Sequence, residues 1–185
     1  MAPVPELHTP RARLREVRLE DAEALLDIYA DPQAVRFLGR PPQTLEQVQT
    51  RVSKMIEDIG RGEAAFWVLT DPGAERAVAY LGFFRWDVPH QSAELGYVLA
   101  RARWGQGLMR EVLPTLVRHG FEALGLHRME ARIDPGNDAS IRLVERLGFR
   151  EEGRLRDRTL NEDGSREDLL VFGLLRPEFE RTASR

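Results

Sequence analysis

The sequence predicts a mixed α/β (α+β) domain with a central sheet of about seven strands, mostly antiparallel with one parallel pair, flanked by four helices. Three observations carry that expectation. Between Ala93 and Leu124 the hydrophobic period changes. Leu95, Tyr97 and Leu99 alternate as in a strand, whereas Leu108, Val112, Leu116, Phe121 and Leu124 recur at helical spacing. Tight turns at Asp71-Pro72-Gly73 and Asn161-Glu162-Asp163-Gly164 join neighbouring strand patterns, as antiparallel hairpins require. The pattern at Arg128 to Asp134 follows the long helix, and a strand–helix–strand connection joins parallel neighbours.

In chain order, residues 1–10 are proline-rich and expected to be a loose arm, 11–177 form one domain and 178–185 a tail. A first strand is read over Arg11 to Leu19. Glu20 or Asp21 opens a helix that stops before Asp31-Pro32. A second helix begins at Thr44, with Glu46-Gln47 as a partial capping signal, and runs through Val48, Val52, Met55 and Ile59 to Gly60. Ala64 to Thr70 and Ala77 to Trp86 form a hairpin, followed by the central strand and the long helix. Pro114 falls inside that helix, where a bend is expected. Asn137 opens a short helix closing at Gly148, and strands over Phe149 to Thr159 and Glu167 to Leu175 complete the chain.

Composition excludes several classes. Hydrophobic residues at 42% and charged residues at 31% of 185 describe a globular domain, and a net charge of −3 argues against a general nucleic-acid coat. The absence of cysteine removes thiolate metal sites and a covalent cysteine intermediate, so any acyl transfer goes directly to the acceptor or through another nucleophile. His8, His90, His119 and His127 show no metal-like pairing and are read as surface or packing residues. No apolar run suits a signal peptide or a membrane span, which makes the cytoplasm the default location.

The turn between central strand and long helix is where chemistry is expected. Helix-start N–H groups lack intrahelical partners there, and the helix dipole favours an anion, phosphate above all. Gly105 and Gly107 lack the Cβ that would keep a ligand's oxygens from the backbone. A plain tight turn remains the alternative. Arg110 stands where a dinucleotide fingerprint needs a third glycine, and no Lys-Ser or Lys-Thr pair follows, so both common nucleotide loops are excluded.

Three segments, AELGYVLARARWGQGLMRE from Ala93, NDASIRLVERLGFREEG from Asn137 and GSREDLLVF from Gly164, together resemble the GCN5-related N-acetyltransferases (GNAT). The likeness is strongest to the RimJ/RimL-like branch that acetylates the amino termini of ribosomal proteins. It spans roughly residues 11 to 177, in the family's order of elements. The resemblance implies the GNAT fold, in which the parallel strands splay, and acetyl-CoA as cosubstrate, with no metal. The pyrophosphate would lie on the backbone of Trp104, Gly105, Gln106, Gly107, Leu108 and Met109. The family's loop pattern of Gln or Arg, two residues, Gly, one residue, Gly or Ala maps to Trp104, Gly107 and Met109, so two positions depart. Tyr97, Val98 and Leu99 would pair with the pantetheine arm as an added strand, with Asn137 binding it from the other side. Asn137 is equally read as a helix cap.

For chemistry, the N–H near Val98 is the implied oxyanion donor. The tyrosine that many relatives use to protonate the thiolate is replaced by Val144, and Ser140 matches the serine of the ribosomal-protein branch, so Ser140 is the candidate donor. A first-turn structural role is its alternative. Glu94 is the candidate base, with an ion-pair role as alternative and with Glu130 and Asp157 in reserve. Thr159 stands where relatives carry a carboxylate. Neutralising a lysine amine at pH 7 costs about 4.6 kcal/mol against about 1 kcal/mol for an α-amine, so the expected acceptor is a protein amino terminus, ribosomal or other. A small-molecule amine, or a CoA-binding module without catalysis, are the alternatives. The chain is expected to be a monomer or homodimer, with no nucleic-acid or membrane partner. The acceptor pocket is expected from Phe37-Leu38-Gly39 and residues near Trp86 and Asp157.

Overall fold

A computed structural model describes residues 4–161 and 163–183. Residues 1–3 of the predicted arm, Glu162 of the last predicted turn and residues 184–185 of the predicted tail lie outside the described residues. The elements are β1 (Leu7–Thr9), β2 (Ala12–Glu16), α1 (Asp21–Tyr29), α2 (Pro32–Val35), α3 (Leu45–Gly60), β3 (Ala65–Thr70), β4 (Ala79–Asp87) and β5 (Ser92–Leu99). A 3₁₀ turn at Arg101–Arg103 leads to α4 (Leu108–Glu122), β6 (Arg128–Ile133), α5 (Asp138–Arg146), β7 (Arg150–Leu160), β8 (Arg166–Leu175) and α6 (Arg176–Ala183).

One sheet in the order β1-β2-β3-β4-β5-β6-β8-β7 holds the eight strands of the described residues, antiparallel except where β5 meets β6. The predicted mixed sheet is thus observed, with differences at its ends. Within the arm expected to be loose, Leu7–Thr9 pair with Ala12–Leu14, Val4 is buried, and Trp67 Nε1 donates to the Pro5 carbonyl at 2.8 Å. The predicted tail begins inside α6, whose Phe179 packs on Phe121 of α4 with ring centroids 5.2 Å apart. A short α2 was also not anticipated. Asp31 caps it by accepting from the Gln33 N–H at 2.9 Å.

Helices α1 and α3 cover one face of the sheet, where Tyr29 stacks on Tyr80 at 5.7 Å and Phe66 on Phe84 at 6.2 Å. Helices α4 and α6 cover the other, where Trp67 meets His119 edge-on at 5.5 Å, and His119 is thereby a packing residue. Contact between α4 and the sheet is close enough that a Cβ on Gly120 would press on the Met129 methyl and stand 2.7 Å from Phe83 Cζ, so glycine is required there. α4 continues through Pro114, which lies on its exposed side. The capping signal of α3 is realised in full: Thr44 Oγ1 accepts from Gln47 N at 3.4 Å, and Gln47 Oε1 accepts from Thr44 N at 2.9 Å.

A buried ion pair joins β2 to the first turn of α1. Arg15 Nη1 and Nη2 donate to Asp21 Oδ2 and Oδ1 at 2.8 and 2.6 Å, with the two residues only 3% and 4% exposed. Asp21 also accepts from the Arg18 N–H at 2.8 Å, so its two oxygens close the turn into α1 as well as pairing the arginine.

Candidate active site

The cleft starts where two strands part company. β4 pairs with β5 along nearly its whole length, from Ala79↔Leu99 to Asp87↔Ser92, with a bulge between Phe84 and Asp87 where Arg85 takes φ 52°. β6 pairs with β5 only at Ser92↔Arg128, Ala93↔Met129 and Glu94↔Glu130. Beyond Glu94, the β6-facing edge of Leu95–Leu99 has no strand beside it among the described residues, although β6 stays paired to β8 through Ile133. An opened parallel pair of this kind presents unpaired N–H and C=O groups to an extended ligand. Tyr97 and Leu99 turn their backbone to that open edge, whereas Val98, expected to do the same, turns its N–H to β4, as Ala100 does in donating to the Val78 carbonyl at 2.9 Å.

At the end of β5 the loop predicted to hold an anion turns on two glycines in the left-handed region. Gly105 and Gly107 have φ 73° and 72°, and Gly107 is the N-cap of α4 with no side-chain cap. A Cβ on Gly105 would meet nothing within 4 Å, and one on Gly107 only Arg11 Nη2 at 3.9 Å, so neither glycine is packed against the body of the fold. Trp104 turns back instead of outward, its Nε1 donating to the Leu99 carbonyl at 2.9 Å. The departure from Gln or Arg at this position therefore replaces a side chain with a strap inside the loop. Gln106 Nε2 closes the same turn on the Ala102 carbonyl at 3.0 Å. Leu108 and Met109 form the first turn of α4, and both side chains are buried, which leaves their backbone toward the opening.

The loop is braced from outside by residues that sequence reasoning missed. Arg101 Nε donates to Asp31 Oδ2 at 2.6 Å, and Arg103 Nη1 donates to Asp71 Oδ2 at 2.9 Å. These pairs hold Asp31 and Asp71 below the usual carboxylate range, the arginine hydrogen bond being the main cause in each. No local signal could have found them, since the partners lie 70 and 32 residues apart.

Across the cleft, Asn137 Oδ1 accepts from the Ser140 N–H at 3.2 Å, so the helix-cap role of Asn137 is realised. Ser140 Oγ lies 2.6 Å from Tyr97 Oη. This contact bridges β5 and α5 and was not anticipated, because Tyr97 was expected to act through its backbone alone. Burial pushes the Tyr97 phenol up to about 12, with the Ser140 hydrogen bond opposing.

Glu94 is buried and ion-paired, receiving Arg85 Nη1 at 2.7 Å and standing 3.3 Å from Arg132 Nε. Burial raises its pKa, opposed by the charges of Arg85 and Arg132. Glu130 shares the cluster through Arg128 at 3.1 Å and Arg132 at 3.6 Å. Asp157, the other reserve, lies on exposed β7 at φ 52° and donates its N–H to Asp168 at 2.9 Å. Glu94 and Tyr97 are three apart on one strand and so occupy opposite faces, Glu94 with Phe84 and Tyr97 with Leu95 and Phe83.

Beside the cleft a cavity of about 310 Å³ is lined by Arg36, Phe37, Asp134, Gly136, Arg154 and Glu167 among others. Phe37 and the β7–β8 hairpin meet there, while Leu38, Gly39, Trp86 and Asp157, also named for an acceptor pocket, do not line it. Thr159 sits against Gly39, closing the same corner. A shared hydrogen bond with Asp134 raises the pKa of Glu167. Among the described residues no group of three or more His, Asp or Glu could hold a metal ion.

A split parallel pair with a glycine cradle at the strand's carboxyl end defines a scaffold for acyl transfer from a pantetheine thioester. The chain belongs to the acetyltransferase (GNAT) domain family, whose model matches residues 11–150. It is an acyltransferase of the acetyl-CoA-dependent kind. It is 33% identical over 174 residues to the uncharacterized N-acetyltransferase p20 of Bacillus licheniformis, covering 94% of this chain and 97% of that one. It is 29% identical to the [ribosomal protein uS5]-alanine N-acetyltransferase of Escherichia coli, covering 96% and 94%. The solved structure of Mycobacterium smegmatis RimJ in complex with CoA-disulfide superposes with a TM-score of 0.80 at 26% identity, covering 94% of this chain and 88% of that one. No described helix is long and apolar enough to cross a membrane.

Proposed function

We propose that the chain moves an acetyl group from acetyl-CoA directly to a primary amine, by preference the α-amine of a protein amino terminus, in the cytoplasm. The observation that carries this reading is the pair of polar groups on opposite faces of the opening between β5 and β6, Glu94 on one and Tyr97–Ser140 on the other. Bound acetyl-CoA supplies a thioester, whose cleavage needs a neutral amine, a held oxyanion and a proton for the departing sulfur.

The residues fit these needs. The cradle N–H groups of Gly105 to Met109 take the pyrophosphate, and the open edge of β5 takes the pantetheine amides and the oxyanion through the backbone of Tyr97 and Leu99, because the Val98 N–H turns to β4. Ser140 Oγ–H passes its proton to sulfur as it takes one from the Tyr97 hydroxyl, which water then reprotonates. Glu94, with its pKa raised by burial and its charged form held by Arg85 and Arg132, draws the amine proton and becomes neutral as it does so. Glu130 is the reserve base within the same cluster.

Two considerations support the α-amine. Its deprotonation costs about 1 kcal/mol at pH 7 against about 4.6 for lysine, and Glu94 is partly committed to two arginines. The E. coli relative is named for acting on the alanine of a ribosomal protein. A second reading, a small cationic amine, draws on Asp134 and Glu167 in the adjoining cavity. Thiol release from acetyl-CoA tests both, with free-α-amine peptides, lysine peptides with blocked termini, and small polyamines as acceptors. Release confined to the first class supports the proposal. Release confined to polyamines selects the second reading, and release with none of them refutes both.

A further inference from the structure

We propose that Arg11, in the turn between β1 and β2, is a positioning residue for the pyrophosphate cradle, fixing the peptide between Gln106 and Gly107 so that the Gly107 N–H faces the ligand. The inference rests on the acetyl-CoA reading of the loop and adds a residue 95 positions away that no loop pattern contains.

Arg11 Nη1 donates to the Gln106 carbonyl at 3.0 Å. The peptide is trans and planar, so its C=O and the following N–H point in opposite directions. A carbonyl drawn toward Arg11 therefore turns the Gly107 N–H away from it. Gly107 at φ 72° has no Cβ and no side-chain cap, so nothing else in its own residue sets that plane. Arg11 provides the external constraint.

The guanidinium is itself held. Glu111, one turn into α4, accepts the Arg11 N–H at 2.9 Å and Nε at 2.6 Å. Hydrogen bonds from Thr9, then from the Arg11 side chain and N–H, keep the Glu111 pKa low, so the carboxylate stays charged and ties the hairpin turn to the helix. The same pairing occupies a negative charge that would otherwise stand free beside bound phosphates. Thr9, Arg11 and Glu111 thus form a strap from the first hairpin to the cradle.

Calorimetric titration with CoA and with pantetheine, which lacks the pyrophosphate, tests the assignment in the full chain. Arg11→Ala should weaken CoA about tenfold and leave pantetheine within about twofold. In turnover the KM for acetyl-CoA should rise by the same factor with kcat nearly unchanged. R11K, which can reach only one of the two acceptors, should fall between. R11A/E111Q separates positioning from neutralisation of Glu111 and should remain weak. Recovery of wild-type CoA affinity in R11A/E111Q overturns the proposal, as does an equal loss for pantetheine or an R11A protein that binds CoA like wild type. A wild-type chain that fails to bind CoA overturns the acetyl-CoA reading together with this one, and is told apart because R11A then has no affinity to lose.

Discussion

Removing the Tyr97 hydroxyl isolates the proton path. Tyr97→Phe keeps the ring that fills the space between β5 and α5 and deletes only the 2.6 Å contact to Ser140 Oγ. A hydrogen bond of this kind is worth about 1 kcal/mol net, so kcat should fall about fivefold. Ser140→Ala removes the donor facing a developing thiolate, a charge-assisted interaction of about 2 to 3 kcal/mol, and should lower kcat about 30- to 150-fold. If Tyr97 acts through Ser140, the double variant should be no slower than Ser140→Ala by more than about twofold. Because the phenol is pushed up to about 12, it stays protonated and the kcat profile should show no loss from Tyr97 up to pH 10. The assay is saturating thiol release followed by a chromogenic disulfide, with melting temperatures taken alongside. Multiplicative losses in the double variant would refute the relay. So would a Tyr97→Phe loss as large as that of Ser140→Ala, which would make the phenol the donor itself.

Further outcomes follow from the scaffold. Asp21→Ala strips the buried Arg15 of its two-point partner and leaves it only the exposed Glu75 carboxylate at 3.4 Å, with an expected loss of about 3 kcal/mol in urea unfolding; a loss below about 1 kcal/mol would contradict the buried-pair account. Pro114→Ala restores an N–H to the middle of α4 at an exposed position and should raise the melting temperature by a few degrees, about 2 to 4 °C per kcal/mol. For Glu94 the sign is opposite to that of an ordinary ion-paired carboxylate. Its folded pKa is raised, so its ionisation weakens the fold, and wild type should lose stability relative to Glu94→Gln as pH rises from the ordinary glutamate value through the raised one. Melting curves from pH 4 to 8 check this, and a difference growing toward acid pH would reverse the assignment. Glu94→Gln should also slow transfer at neutral pH in the thiol-release assay if Glu94 is the base.

Local chemistry was legible in the sequence; distant pairing was not. The change of period around Arg101 to Gly107 located the strand, the turn and α4, because burial of one face repeats every two or every 3.6 residues. Thr44 and Gln47 announced the start of α3 through a motif four residues long. By contrast β1 is three residues flanked by proline, too short for any period, and exists because β2 offers it an edge. The braces on the cradle, Asp31 to Arg101, Asp71 to Arg103 and Glu111 to Arg11, join side chains brought together only by sheet order. Tyr97 shows both limits. Its place on the open edge was readable from alternation, but the direction of its hydroxyl depends on where α5 docks.

The most direct test of the account is an internal competition. One peptide carrying both a free α-amine and a lysine is incubated with the protein and acetyl-CoA near pH 7, and fragment mass spectrometry locates the added acetyl group. The account predicts acetyl on the amino terminus, abolished or strongly slowed in Ser140→Ala. Acetyl placed mainly on the lysine, or equal yields with and without the protein, would contradict it.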